Sequence, residues 1–320
     1  MAAPMTSENW PQLLLPGLRK TWDLRLRGYE SVEQRTKLFS VDTSIRSFEQ
    51  DLGIGALGSD DWNFEDSQQV QYDGILPGYA ATYTHREFAK GMIVRRKLMD
   101  DNLYGGAGIP RAIGQRVQKL ADAAFVIQEL AAAEVFNNAF TDSGTSKTGF
   151  QIAGADAVGL CSTVHPLGPN DTGTTLANEG TQTLGIAAIK AARYAARKWT
   201  DDRGNITPVA LTELMVPIEL EDEAAVIVQS MQVPGSANND DNVTGRRITT
   251  VRSWEYLTDT NAWFLMDPVL RAEMNVWFDR IPFEFDSTGD FDTLQAKFRA
   301  YGRFSRGFNH WAWIYGNNPS

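Results

Sequence analysis

Cys161 and His165 stand four residues apart, with Pro166 directly after the imidazole. A thiol and an imidazole so placed suggest a nucleophile pair, in which the ring makes the thiolate and a third group orients the ring. A histidine before proline in a Ser/Thr-containing stretch also reads as an ordinary turn residue. The residues favour that turn, and a Cys/His hydrolase stands as the alternative from another functional class. Cys161 is the only cysteine, which excludes an intrachain disulfide and a cysteine-rich metal site. His85, His165 and His310 are the three histidines, and they lack the short fixed spacings by which zinc ligands are recognised. No catalytic residue, metal or cofactor is therefore expected.

Two glycine clusters invite a phosphate reading. Gly53-Ile-Gly-Ala-Leu-Gly58 matches the dinucleotide pattern. That pattern works only with a buried strand before it and a helix after it, so that the helix N-terminus faces the pyrophosphate. Ser47-Phe-Glu-Gln-Asp-Leu before it and Ser59-Asp-Asp-Trp-Asn after it fit neither, so a turn is expected. Gly105-Gly-Ala-Gly108 does precede a helix but lacks the Lys-Ser/Thr of a phosphate loop, and it reads as a hinge. The adjacent acids Asp100/Asp101 and Asp240/Asp241 read as solvated loop residues. Arg86, Lys90, Arg95, Arg96 and Lys97 form the strongest positive run, suited to an acidic surface of another copy or to a solvated strand face.

The elements that would carry these residues centre on one long helix. From Pro110 through Thr141, Ile113, Val117, Leu120, Ala124, Ile127, Ala131 and Val135 recur at spacings of three and four. Pro110 suits a first helical turn. Roughly thirty residues make a helix about 45 Å long, which needs something long to lie on. Before it, Tyr79 to Arg86 and Met92 to Leu98 read as two strands of an extended hairpin, with turn signals at Gly74, Pro77 and Gly78. Residues 1 to about 60 carry little periodicity and read as an arm. Trp10-Pro-Gln-Leu-Leu-Leu-Pro16 is an apolar patch broken by prolines, and Thr21–Tyr29 and Ser31–Phe39 are short helices or extended chain. The arm's Trp10, Leu13, Leu14, Leu15 and Trp22 have no core of their own in which to be buried.

After the helix, Leu184–Trp199 reads as a helix, Leu211–Val216 as a buried strand stopped by Pro217, and Glu219–Met231 as a helix with acids at its start. These make a small α/β unit. Val233–Arg246 reads as an exposed loop, Arg247–Leu257 and Asn261–Met266 as strands, and Thr293–Tyr315 as two strands around Gly302 to Gly307.

Composition bounds the function. The chain has 320 residues, 42% hydrophobic and 22% charged, with a net charge of −10. Such a surface does not grip nucleic acid as a whole, because duplex binding needs clustered Lys and Arg, although an acidic protein can still enclose DNA. Nine Trp and sixteen Phe supply material for core or interface. No apolar run is long enough for a membrane span, and Met1-Ala-Ala-Pro-Met is no signal peptide, so neither membrane insertion nor a removed leader is expected.

The order of parts resembles the Hong Kong 97-like fold of tailed-phage major capsid proteins. Local stretches are similar to the Mu-like major head subunit subgroup: Ile93-Val-Arg-Arg-Lys-Leu-Met-Asp-Asp-Asn-Leu-Tyr-Gly105, Leu160-Cys-Ser-Thr-Val-His-Pro-Leu167, Leu214-Met-Val-Pro-Ile-Glu-Leu-Glu221, Asn261-Ala-Trp-Phe-Leu265 and the aromatic C-terminal strands. The order of these stretches carries the likeness, over nearly all the chain beyond residue 60.

The resemblance implies an α+β fold: an N-terminal arm (1–60), an extended β-hairpin loop (61–103), a peripheral domain (104–157 and 270–320) with a spine helix over 110–140, and an axial α/β domain (158–269). It implies self-assembly as hexamers and pentamers into an icosahedral shell that encloses double-stranded DNA in the virion, built in the host cytoplasm. A portal protein and a separate scaffolding protein are implied partners, with a decoration or cement protein as a further one. A separate scaffold follows from the retained Met1 and the short stretch before the hairpin. Contacts between subunits fall on Trp10, Leu14, Trp22, Tyr83, Arg86, Lys90, Arg95, Arg96, Asn239 and Asp240, the last two at the axial tip. Some relatives join a loop lysine to an asparagine covalently. Lys90 with Asn309, Asn317 or Asn318 would be the pair, and no such crosslink is expected here. An encapsulin-type compartment with the same fold is the alternative biology.

Overall fold

The computed structural model describes residues 10–58, 69–70, 72–100, 111–169, 171–234, 240–290 and 292–319, without the side chains of 10–14, 99–100, 111–112 and 171–172. The elements in chain order begin with α1 (Trp10–Arg27), α2 (Arg35–Leu38), β1 (Ser40–Thr43), β2 (Phe48–Ile54), β3 (Pro77–Thr84), β4 (Arg86–Arg95) and α3 (Arg96–Asp100). There follow α4 (Arg111–Asn137), β5 (His165–Gly168), β6 (Asp171–Leu176), β7 (Glu179–Gly180), α5 (Ile186–Ala196), β8 (Glu213–Val216) and α6 (Glu221–Gln229). The chain closes with β9 (Thr250–Ser253), β10 (Trp263–Met266), α7 (Pro268–Met274), β11 (Asn275–Asp290), β12 (Gln295–Phe308) and β13 (Ile314–Asn317).

Helix α4 is the expected long helix, and two cores are strung along it. In its first half Ile113, Val117, Leu120 and Ala124 pack on Val94, Phe285, Phe298 and Ala300, the inner face of a four-stranded sheet ordered β1-β11-β12-β4. In its second half Ala131, Ala132, Val135 and Phe136 pack against Trp277 and Phe304 of that sheet and also against Met215, Phe264, Met266 and Trp313. The last four line one face of a five-stranded sheet ordered β7-β13-β10-β8-β9. Its other face, Leu214, Val216, Trp263 and Leu265, is covered by Ala188, Ile189 and Ala192 of α5 and by Ala224 and Ile227 of α6. Because both faces are covered, β8 and β10 are apolar nearly throughout rather than alternating. This is the α/β unit read from the sequence.

Three expectations are corrected. The arm is not without a core. Residues 10–27 form α1 despite Pro16 inside the helix. Leu15, Leu18, Trp22 and Leu26, at helical spacing, bury against α4 and the long sheet, with Trp22 stacked on Phe285 at 5.5 Å. Arg25 Nε then donates to Asp122 Oδ1 of α4 at 2.6 Å, and the Tyr29 hydroxyl to the same oxygen at 2.7 Å.

The strands at 79–86 and 92–98 do not pair with each other. Strand β3 pairs antiparallel with β2, and β4 runs on to pair with β12. The hairpin is therefore β2–β3. Finally, Gly302 and Gly307 lie inside the single strand β12, whose partner is the long β11. A Cβ at Gly302 would lie 2.9 Å from the Phe283 ring and one at Gly307 2.5 Å from the Tyr83 ring. Glycine here admits an aromatic ring onto the strand rather than turning the chain.

Candidate assembly interface

Polar groups on α4 fix the arm and the loops. Glu129 is buried and accepts from Arg35 N at 3.0 Å, Gln34 N at 3.2 Å and Trp254 Nε1 at 3.0 Å. Its acid pKa is pushed up by burial and held down in part by those donors. Glu134, one turn on, accepts from Thr148 N at 3.0 Å and faces Arg306 at 3.4 Å. Burial lowers the Arg306 pKa to about 10 despite this partner. At the start of β8 in the five-stranded sheet, Glu213 holds the buried Arg271 at 3.0 Å. These are rigid anchors, and sequence reading passed over them because an acid within an apolar stripe looks like the stripe's solvated border.

The Cys161–His165 pair is also an anchor, and the hydrolase alternative fails on its geometry. Cys161 is buried beneath Gly316, where a Cβ would meet its Sγ at 2.6 Å. Burial raises the thiol pKa well above its ordinary value, the opposite of the lowering that activates a cysteine nucleophile. Both ring nitrogens of His165 are engaged elsewhere. Asn178 Nδ2 donates to the carbonyls of Leu160 and Ile314, which leaves Asn178 Oδ1 as acceptor for Ser162 N and for His165 Nε2 at 3.1 Å. His165 Nδ1 faces Asp156 Oδ2 at 2.7 Å. The ring stacks on Trp311 at 4.5 Å. This cluster ties the segment after α4 to the C-terminal strand.

Gly53-Ile-Gly likewise ends β2. Gly53 lies against the backbone of Tyr79, and Gly55 N donates to Leu76 O at 2.8 Å. Residues 55–58, the described ones directly after β2, are not helical. Among the described residues no group of His, Cys, Asp and Glu is arranged to hold a metal, and no helix is long and apolar enough to cross a membrane.

The expected contact residues fall into three sets. Trp22 and Tyr83 are corrected to core positions: Trp22 lies under α4, and Tyr83 packs on Phe278 with its hydroxyl donating to Asn309. Arg86, Lys90, Arg95 and Arg96 are exposed along β4 and the start of α3, where β4 forms an edge of its sheet. Arg86 also lies 6.0 Å over the Phe150 ring. Asp240 is exposed beside the bridge from Gln232 to Asp241. The side chains of Trp10 and Leu14, and all of Asn239, lie outside the described residues. Asn309, one of the crosslink acceptors considered, is engaged in this chain by Tyr83 and Asp51.

The most exposed apolar surface lies elsewhere, on the β2–β3 hairpin and its flanks. Ile45 (87%), Ile54 (76%) and Tyr72 (94%) stand in solvent with Phe48, Leu52 and Ile75. Phe48, Leu52 and Ile54 sit at even spacings, a period-two signal that the arm reading overlooked. The hairpin rests on the turn after α5: Ala56 N donates to Asp202 Oδ1 at 2.9 Å, and Arg203 reaches Asp73 Oδ1 at 3.2 Å and Gly74 O at 2.9 Å. These contacts of its loop are polar; Ala81 and Tyr83 of β3 pack on Val276 and Phe278, while Phe48, Leu52 and Ile54 of β2 are left exposed. Large apolar side chains concentrated on one exposed segment point to a partner that covers them.

Solved structures match this fold over most of the chain. The capsid of the cyanophage P-SCSP1u matches with a TM-score of 0.54 at 13% identity, over 89% of this chain and 87% of that one. The capsid of Ralstonia phage GP4 matches at 0.53 and 12%, over 88% and 87%. The capsid of a native GTA particle matches at 0.52 and 13%, over 91% of each. The fold is thus the mixed α+β fold of phage capsid subunits. The family described as phage capsid protein matches residues 80–317, and the chain belongs to that family. No curated protein matches it.

Proposed function

We propose that the chain is the major capsid protein of a tailed phage with the Hong Kong 97-like fold, of the Mu-like subgroup. It closes as hexamers and pentamers into an icosahedral shell around double-stranded DNA. In this reading α4 is the spine helix of a peripheral domain that includes 111–157 and 270–320, and 158–269 is the axial domain. The β2–β3 hairpin, rather than 61–103, is the extended loop, and the role is structural, without catalysis. The observation that carries the reading is the concentration of exposed large apolar side chains on the hairpin and its flanks, from Ile45 to Ile75. Copies arranged by symmetry bury such a row many times over, so modest contacts sum to a stable shell. A portal protein, a separate scaffolding protein and a decoration protein are the partners this reading calls for.

The test is expression of the full chain with electron microscopy of the purified product. Hollow closed particles of uniform diameter are expected. A monodisperse monomer at every concentration and salt, with or without the neighbouring head genes, overturns the reading.

A further inference from the structure

Four cations converge on one pocket and form no ion pair with an acid among the described residues. Lys190, Arg193 and Arg197 of α5, with Arg247 of the short 3-10 turn Gly245–Arg247, line a cavity of about 250 Å³ beside Tyr194. None of the four makes an ion pair among the described residues, although neighbouring Arg246 pairs with Asp241 at 2.5 Å. Arg193 Nε is buried without a hydrogen-bond partner. Burial, then the charges of Arg247 and Arg197, lower the pKa of this guanidinium, with no carboxylate to offset them. The α5 dipole welcomes cations near its last turn, but it does not explain why Arg247, from another element, is brought to the same place.

The complementary patch lies on the same layer of the molecule. Glu219, Glu221, Asp222 and Glu223 crowd the start of α6, all exposed and none in an ion pair among the described residues. Helices α5 and α6 cover the same face of the five-stranded sheet. The pocket sits beside the 3-10 turn, against which the C-terminal end of α6 packs: Asn242 donates to Ile227 O, and its Oδ1 accepts from Gly245 N at 2.8 Å. The acids occupy the opposite end of α6. Three exposed cations with the half-buried Arg193, and four exposed acids, therefore lie toward opposite ends of one surface. Two different patches that fit each other join copies head to tail, and a rotation that closes makes a ring.

We infer that the Lys190–Arg193–Arg197–Arg247 pocket receives the acidic first turn of α6 from the adjacent copy within a ring of subunits. This rests on the shell reading above and names the contact that orders its capsomers. Opposite charges across an interface set register and partner choice more than raw affinity, which suits a contact that one chain must make at every position of a ring.

The test compares the full-length parent with R193E/R247E, E221K/E223K and the combined four-site variant, by negative-stain particle counts and mass photometry. Each double reversal is expected to cut particle yield at least tenfold, and the combined variant to recover much of it, because the complementarity is restored with signs exchanged. Parental yield from R193E/R247E overturns the inference while leaving the shell reading intact; a parent that never assembles defeats the shell reading itself. Loss without recovery, together with retention of a short DNA duplex by the parent but not by R193E/R247E, assigns the pocket to phosphate and overturns the inference. If a reversal variant fails to fold by circular dichroism, mixed R247C and D222C chains decide. A disulfide-linked heterodimer under mild oxidation supports the contact, and its absence in assembled particles overturns it.

Discussion

Trp254 Nε1 donates to Glu129 Oε2 at 3.0 Å, so the segment that leaves β9 is tied to the middle of α4 by a buried carboxylate. The same carboxylate accepts the first free N–H groups of α2, from Gln34 and Arg35. One side chain thus joins the arm, the long helix and the α/β unit, and those are the three parts that must move as one body if the subunit is to tile a shell.

Glu129→Gln is expected to lower stability by about 2–3 kcal/mol, because an amide replaces one acceptor oxygen by a donor that faces other donors. Trp254→Phe should cost about 1–2 kcal/mol, since it leaves one carboxylate lone pair unfilled and the remaining ring packing largely in place. Urea unfolding of each variant measures both. An unchanged midpoint for Glu129→Gln would show that the carboxylate is not the acceptor that holds α2.

Much of the fold was legible before the structure. The long helix, the α5–β8–α6 unit and Pro217 as a strand stop all follow from periodicity and breakers, which are local signals. What was missed depends on distant chain. Pro16 hid α1, because a proline-broken run gives no hint that Leu18 and Trp22 will find Phe285, more than two hundred residues away. The β2–β3 and β4–β12 pairings were hidden likewise, since strands adjacent in sequence pair with each other by default. At the candidate interface, sequence pointed to the exposed cations of β4 but also to Trp22 and Tyr83, whose aromatic area the subunit's own core claims. The apolar row on the hairpin is legible in residue type and spacing, but the chain around its strand carries little periodicity to mark it as sheet.

Gly302 and Gly307 illustrate the same point and can be tested. Gly302→Ala would place a Cβ against the Phe283 ring and Gly307→Ala against Tyr83. Each ring must shift from its packed position, at a cost of about 1–3 kcal/mol. Had these glycines marked a turn, alanine would be nearly neutral; thermal melts of the two variants distinguish the cases. Tyr83→Ala should relieve the clash in the Gly307→Ala background, so the two changes together should cost less than the sum of each alone.

His85, between β3 and β4, gives the subunit a pH dependence of known sign. Its Nε2 lies 3.0 Å from Ser44 Oγ and its Nδ1 2.9 Å from Ser305 Oγ, inside the structure. Burial, then the charges of Arg303 and Arg280, lower its pKa, and Glu49 offsets them only in part. The folded chain therefore holds a neutral ring where the unfolded chain, with an ordinary value of about 6.5, takes up a proton. Stability is full above that value and falls as the pH drops below it, because the unfolded state binds the extra proton. His85→Gln, which keeps a donor and an acceptor, should flatten the slope of unfolding free energy between pH 6.5 and the lower folded-state value. An equal slope in both proteins would place the titration elsewhere.

The final prediction separates folding from assembly on the hairpin. Leu52 and Ile54 are exposed on β2, and their side chains contribute little to the subunit's own core. Leu52→Asp/Ile54→Asp should therefore leave the unfolding midpoint of the isolated chain within about 0.5 kcal/mol of the parent, as surface changes do. Charges placed where a neighbour must bury apolar area meet a desolvation penalty at every copy. Closed particles should then be reduced at least tenfold in micrographs while soluble, folded chain accumulates. Trp22→Ala makes the contrasting case, because that ring is buried within the chain. Its loss should cost about 3–5 kcal/mol of subunit stability before any shell is considered. If instead Trp22→Ala melts like the parent and the hairpin variant unfolds, then α1 belongs to the interface and β2 to the core, the reverse of the arrangement described.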